Sequence, residues 1–236
     1  MRVLWLSLTS LFLSCADVKG IENKKAYGPL VSMIDLFTSC QLLKTSAGPV
    51  LFDACWRKEE LAARLSEQGH KPQDVIAVLL THGHADHVGG LESLSGARLL
   101  ALPAEQETIA KHAKGDSTID QALTDGEVLT FGETQVRVYA VPGHTKGSAA
   151  FLVEGTLVVG DSGLITSKGA FTQVPNDRSE DPSQVISSVV ALADRLTAEG
   201  QDVRWIVPAH SGGVEGRARL TSSSRQTGNQ LETVAG

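Results

Sequence analysis

Four apolar runs in this chain each end in a side chain able to bind a metal ion, and that repeated pattern restricts the fold more than any other feature. Val75 to Leu80 is a continuous apolar run, the pattern of a strand buried on both faces, and it leads into Thr81-His82-Gly83-His84-Ala85-Asp86-His87. Val136 to Val141 leads into Pro142-Gly143-His144, Thr156 to Gly160 into Asp161, and Trp205 to Val207 into Pro208-Ala209-His210. A single histidine or aspartate at a strand end is usually a satisfied surface group. Seven donors on four strand ends ask for a fold that carries those ends to one place. Loops at the ends of rigid buried strands are where sites are built, because the scaffold fixes the side chains that the loop exposes.

The first motif divides its donors. In extended chain, alternate residues share a face, so His82 and His84 point the same way, and Gly83 and Ala85 are too small to crowd an ion between them. Asp86 and His87 are adjacent and diverge, which suits a second ion, at the start of a helix expected over Asp86 to Leu94. A zinc ion takes about four ligands, and catalytic sites supply about three from protein and leave one position open. Two ions therefore need the donors on the other strand ends.

The remaining pattern fits a sheet-rich globular domain. Val31 to Ile34, Gln41 to Lys44 and Val50 to Phe52 read as strands, with Ala47-Gly48 before Pro49 as a turn. Arg57 to Gln68 shows helical spacing with Leu61 and Leu65 on one face, ended by Gly69. A net charge of −6 and only 5% aromatic residues exclude the basic patch and the stacking platform of nucleic-acid binders, leaving a small-molecule substrate as the expected partner.

The ends read differently. Met1 and Arg2 precede the apolar run Val3 to Ser14, too short for the roughly 20 residues of a membrane-spanning helix but of signal-peptide dimensions. Leu11-Phe12-Leu13-Ser14-Cys15 resembles a lipobox, with Phe12 where that motif prefers Leu, Val or Ile. The expected organisation is a signal peptide over 1–14, with Cys15 as a lipidated mature N-terminus, and a polar tether over 15–27. The domain follows over 28–213 and a flexible tail over 214–236. Such a protein is exported, periplasmic or anchored to a membrane through Cys15. The other reading, a buried first element in a cytoplasmic protein, stays open.

Taken together, His82-Gly83-His84-Ala85-Asp86-His87, Gly143-His144-Thr145, Gly160-Asp161-Ser162 and Ala209-His210 resemble the motif set of the metallo-β-lactamase-fold hydrolases, in the same order over roughly residues 30 to 213. The resemblance implies an α/β fold, a four-layered αβ/βα sandwich of two mixed sheets flanked by helices, with metals at one edge. It places His82, His84 and His144 on a first ion and Asp86, His87 and His210 on a second, bridged by Asp161. The implied cofactor is two zinc ions, iron or manganese being the alternatives. The implied activity is hydrolysis, in which a hydroxide held between the ions attacks an ester, thioester, lactone or amide carbonyl. Asp86 would orient the nucleophile and pass a proton to the leaving group. Asp53 is either a turn-forming residue or, by the resemblance, the partner that orients a ligand histidine. Asp161 stands where true β-lactamases commonly carry Cys or Ser, so the resemblance is to the wider superfamily and not to a β-lactamase.

Several relatives within that superfamily fit less well. Hydroxyacylglutathione hydrolases carry a helical extension beyond the last ligand, where Ser211 to Gly236 here reads as a frayed tail. Acyl homoserine lactonases use a tyrosine near the metals, and Tyr27 and Tyr139 lie on no motif. Two other classes remain open, a mononuclear iron, persulfide dioxygenase-like oxidoreductase and a non-catalytic metal-binding surface protein. Cys55 is expected as a buried thiol rather than a partner of Cys40, Lys146 as an exposed loop residue, and His70 and His112 have no assigned role. Substrate choice is expected to lie in residues 20–39 and 164–182, the second with Phe171, Asn176, Asp177 and Arg178 as a pocket-lining mix.

Overall fold

The computed structural model describes residues 17–115 and 117–216. Successive side chains of a strand face opposite ways, and the central strands here are apolar on both faces, so each sheet needs cover on two sides. The first sheet runs in chain order through β1 (Ala26–Tyr27), β2 (Leu30–Asp35), β3 (Thr38–Thr45), β4 (Gly48–Phe52), β5 (Ala77–Leu79), β6 (Arg98–Ala101) and β7 (Gln121–Ala122). Its pairing is antiparallel as far as β4 and parallel beyond. The second sheet comprises β8 (Val128–Phe131), β9 (Thr134–Ala140), β10 (Ala149–Val153) and β11 (Thr156–Gly160). A small hairpin follows, β12 (Leu164–Ile165) with β13 (Phe171–Thr172), before β14 (Trp205–Pro208) and β15 (Val214–Glu215) complete the second sheet in the order β15-β14-β11-β10-β9-β8. Only β11 and β14 pair in parallel there.

The alternation sorts the core into three apolar layers. Val50 and Phe52 of β4, Leu79 of β5, Val136 and Val138 of β9 and Phe151 of β10 fill the space between the sheets, where the Phe52 and Phe151 ring centroids lie 5.5 Å apart. Leu51 and Val78 face the other way, onto Leu61 and Leu65 of α1 (Lys58–Glu67). The short α2 (Ala85–Val88) and α3 (Gln106–His112) lie on that side as well. On the far side, α4 (Pro182–Ala198) presents Val185, Val189, Leu192, Ala193 and Leu196 to the second sheet. That spacing is one face of a helix, and each such buried Val or Leu contributes about 1.5–3 kcal/mol. The layers are helix, sheet, sheet, helix, as expected.

Four expectations are corrected. The helix expected over Asp86 to Leu94 ends at Val88, with a separate 3-10 turn at Leu91–Ser93. Gly89 and Gly90 press against the carbonyls of Trp56 and Ala54, where an added Cβ would collide, so the backbone there follows packing rather than helical propensity. The stretch expected as a tether is docked from residue 17 onward. Lys19 N donates to Ile165 O at 2.8 Å and Gly212 N to Lys19 O at 2.9 Å, while β1 adds to the sheet. Val214 and Glu215, expected in the tail, instead form a strand at the edge beside β14. Cys55 is not a free thiol: it is bonded to Cys40, 15 residues earlier, with Cα atoms 5.2 Å apart. Residues 1–16, with the expected signal peptide and Cys15, and residues 217–236 of the expected tail lie outside the described residues. No helix among the described residues is long and apolar enough to cross a membrane.

Candidate metal centre

Both sheets deliver donors to one edge. The loop after β5 carries His82 and His84, α2 carries Asp86 and His87, the loop beyond β9 carries His144, Asp161 follows the last residue of β11, and His210 lies two residues beyond β14. Three imidazole nitrogens face one another: His82 Nε2 and His84 Nδ1 are 3.1 Å apart, and His144 Nε2 lies 3.2 Å from the first and 3.0 Å from the second. A tetrahedral ion at about 2.0–2.1 Å from each nitrogen would set them roughly 3.3 Å apart, so the three are spaced for one ion. A second group forms from Asp86, His87 and His210, with His210 Nε2 at 3.2 Å from Asp86 Oδ2. Asp161 stands between the groups. Its Oδ1 is 3.3 Å from His87 Nε2, and its Oδ2 is 3.1 Å from His210 Nε2 and 3.4 Å from His144 Nε2. All seven sequence-derived donors are therefore brought together.

The outward nitrogens are tied in a way that frees the inward ones. Asp53 Oδ2 accepts from the Thr81 hydroxyl at 2.8 Å and from His87 Nδ1 at 2.9 Å, and its Oδ1 accepts from Thr81 N at 2.8 Å. Thr81 has one hydroxyl proton and gives it to Asp53, so at the 3.2 Å contact with His82 Nδ1 it is the imidazole that donates. One carboxylate thus sets the tautomer of a histidine in each group and leaves both Nε2 lone pairs facing inward. Asp53 holds a positive φ of 62°, which Asp tolerates better than most residues. Of the two readings left open for it, the orienting one fits these contacts. His210 Nδ1 donates to Phe37 O at 2.9 Å, to the same effect.

Two buried atoms here have no hydrogen-bond partner, His87 Nε2 and Asp161 Oδ1. They lie 3.3 Å apart without hydrogen-bond alignment. Buried polar atoms are seldom left unpaired, and both belong to the donor set, so the residues present fit a metal ion. The charges agree. Burial opposes ionisation of Asp161, but the His87 and His210 cations outweigh it and hold its carboxyl well below the usual range. Burial drives His82 well below the ordinary imidazole value, with the His87 charge adding to it, and pushes His144 down to about 4. His87 and His210 go the other way. Burial lowers each, but Asp161 overrides it, raising His87 well above its ordinary value and His210 to about 10. Without metal, those two protons occupy the place of cationic charge.

The surroundings include residues that the motifs do not reveal. Ser179 Oγ lies 3.3 Å from His144 Nδ1. Asp181 N donates to Gly143 O at 2.9 Å, which fixes the start of α4 against the His144 loop. Gly143 has φ 137°, and a side chain there would run into the backbone of Val185. His112, given no role from sequence, donates from Nδ1 to Gly83 O at 3.0 Å, its ring 5.6 Å from that of His84. His70 joins none of the donor groups. Phe37 stacks on His210 with centroids 5.8 Å apart and meets Trp56 at 5.0 Å. With Leu36, these make an apolar wall that is exposed by 58% (Leu36), 53% (Phe37) and 38% (Trp56) beside the centre. Leu36 and Phe37 fall within the 20–39 region expected to govern substrate choice. In the other region Phe171 is not a pocket residue: it is 4% exposed and packs in the core with α4. Lys146 is exposed, as expected.

Comparison with known proteins agrees with this architecture. Residues 33–210 match the metallo-β-lactamase superfamily family model. The chain is 32% identical over 162 residues to metallo-β-lactamase domain-containing protein 1 of Homo sapiens, covering 65% of this chain and 54% of that protein. It is 37% identical over 121 residues to a hydroxyacylglutathione hydrolase of Methylococcus capsulatus, covering 49% and 39%. The chain thus spans about half the length of the curated relatives it matches. Among solved structures, a B3 metallo-β-lactamase with an active-site glutamic acid superposes with TM-score 0.68 at 18% identity, covering 95% of this chain and 94% of that one. A metallo-β-lactamase family protein of Thermus thermophilus superposes with TM-score 0.64 at 24% identity, covering 86% and 79%. The chain belongs to the metallo-β-lactamase superfamily.

Proposed function

We propose that this protein is a metal-dependent hydrolase with a binuclear centre, zinc by its donor chemistry, acting on an ester, thioester, lactone or amide. His82, His84 and His144 hold one ion, Asp86, His87 and His210 the other, and Asp161 spans both. The observation that carries this reading is the cluster of His82 Nε2, His84 Nδ1 and His144 Nε2 at 3.0–3.2 Å, spaced for one ion, with Asp161 reaching from it to the second group. When bound, the ions supply Lewis acidity and water acidified to about neutral pKa. Asp86 faces the same space, half-buried, with the His210 contact holding its carboxyl below the ordinary value despite burial. It remains an acceptor near neutral pH and is the group placed to orient water and move a proton. The apolar wall of Leu36, Phe37 and Trp56 favours substrates with an apolar portion beside the reacting carbonyl. Relatives named hydroxyacylglutathione hydrolase support hydrolysis as the reaction class.

The test is elemental analysis of the purified protein together with a panel of esters, thioesters, lactones and amides. About two zinc ions per chain and hydrolysis of a panel member are expected. Zinc added to metal-free protein at neutral pH should also release about two protons, from His87 and His210, because the ligands must be deprotonated. A single iron ion with oxygen consumption, or zinc without hydrolysis of any panel member, would overturn the reading.

We propose further that the protein is exported, and anchored if Cys15 is acylated. The Cys40–Cys55 bond supports export, since disulfides persist in oxidising compartments. Mass spectrometry of the mature N-terminus in a bacterial host should find Cys15 first and acylated. An intact Met1 on a soluble protein would refute export, and an unmodified cleaved end would refute lipidation alone.

A further inference from the structure

Glu105 is a fully buried carboxylate far from the donor motifs in sequence. It closes the 3-10 turn Pro103–Glu105 that feeds α3. Its Oε2 accepts from Gly83 N at 2.7 Å and its Oε1 from Gly147 N at 2.8 Å. Gly83 separates His82 from His84, and Gly147 lies in the loop that carries His144. The two amides therefore belong to two loops from two different sheets, and those loops supply all three nitrogens of the first donor group.

The packing around Glu105 repeats this arrangement. A Cβ on Gly83 would lie 2.6 Å from Ile109 N, and one on Gly147 would lie 2.7 Å from Glu105 N, so both loops rest directly on the same helical segment. The peptide of Gly83 is held at both ends, its N–H by Glu105 and its carbonyl by His112 at 3.0 Å. A carboxyl group is costly to bury without hydrogen bonds, and both oxygens of this one accept from backbone amides, at 2.7 and 2.8 Å. A mere filler for this space would not need two acceptors aimed at two separate loops.

We propose that Glu105 is the positioning residue of the first metal site: it sets the spacing of the His82–His84 loop against the His144 loop, and through it the 3.0–3.2 Å nitrogen cluster. This rests on the reading that those three histidines hold an ion. In Glu105→Gln one acceptor becomes an amide N–H facing another N–H, so only one loop stays tied.

The experiment loads full-length wild type and Glu105→Gln with zinc, and separately with cobalt(II), and measures chelator competition and the visible cobalt spectrum. The variant should hold one of its two ions about ten- to a hundredfold more weakly, as expected when a partner behind the ligands is lost. Its cobalt bands should shift, and the second ion should be little changed. Leu65→Ala, a core change in α1, is the control: it should lower the melting temperature and leave both affinities and the spectrum alone. If Glu105→Gln does not fold, His112→Ala removes the tie to the Gly83 carbonyl and should weaken the same ion to a smaller degree. A folded Glu105→Gln, or a His112→Ala used in its place, with wild-type affinities and spectrum would overturn the proposal. Wild type that binds no ion would sink the hydrolase reading as well, which separates the two failures.

Discussion

Asp161→Ala should hold neither ion firmly and should lose hydrolysis by a factor on the order of 10³ or more. The carboxylate reaches both donor groups, with Oδ1 at 3.3 Å from His87 Nε2 and Oδ2 at 3.1 Å from His210 Nε2. A carboxylate between two cations partly neutralises both and fixes their separation. Lewis-acid stabilisation by such a centre is worth several kcal/mol, at about 1.4 kcal/mol per factor of ten. Whatever activity remains should have a displaced pH–rate profile, because the carboxylate charge that would offset the ions is gone. The metal-free proteins offer an independent readout. Burial lowers the His210 pKa, but Asp161 outweighs it and raises it from 6.5 to about 10. A raised histidine pKa stabilises the fold fully below the unfolded value of 6.5, and that stabilisation is lost as the pH rises through about 10. Metal-free wild type should lose melting temperature over that interval, and Asp161→Ala should lose less. Normal metal content with an unchanged pH–rate profile would reduce Asp161 to an ordinary strand-end carboxylate.

How much of this centre could be read from sequence depends on how local each cause is. His82, His84, Asp86 and His87 follow a buried strand within a few residues, so their chemistry and their placement are visible together. His144, Asp161 and His210 repeat that local pattern, and only their convergence is tertiary. Asp53 also ends a strand, but its work is done across the chain at Thr81 and His87, so sequence leaves it divided between two readings. Glu105 is invisible by the same logic. An acid entering the first turn of α3 looks like an exposed group favoured by the helix dipole, and its burial comes from two glycines, Gly83 and Gly147, that let two loops close over it. No short-range signal reports that.

Other elements carry a local signal that is legible in the sequence. Asp181-Pro182 is a helix start, and Asp181 accepts from Gln184 N at 2.9 Å as a helix cap does. Val185, Val189, Leu192 and Leu196 have the spacing of one face, so α4 was legible. Ala149 to Val153 is an apolar run as continuous as the one before His82, and it forms β10 in the middle of the second sheet. The docking of residues 17–27 was not legible, since it depends on isolated backbone pairs such as Lys19 with Ile165 and Gly212. Side chains add to that attachment, with Asn23 Oδ1 accepting from Ile34 N at 3.2 Å and the buried Tyr27 hydroxyl accepting from Gly213 N at 2.9 Å, and their partners too lie far along the chain.

Removing the Cys40–Cys55 bond should destabilise the fold by several kcal/mol. Cross-linking residues 15 apart restricts the unfolded chain by about 3 kcal/mol in the loop-entropy picture. At about 2–4 °C per kcal/mol for a domain of this size, Cys40→Ala/Cys55→Ala should melt roughly 6–12 °C lower. The effect should also reach the metal centre. Cys55 holds a positive φ of 54° in the turn that follows Asp53, and between them Ala54 N donates to His87 O at 2.7 Å. The bond therefore anchors, from β3, the turn whose Asp53 orients His87. Loosening that turn should weaken the ion held by Asp86, His87 and His210 before the one held by His82, His84 and His144. Both sulfurs are fully buried, so reductant should act on the folded wild type only slowly and reach the variant's melting temperature after unfolding exposes the bond. Thermal melts of wild type with and without reductant, beside the double variant and with metal content measured on each, test every step. A double variant that melts with the wild type and keeps both ions would show that packing alone holds the turn.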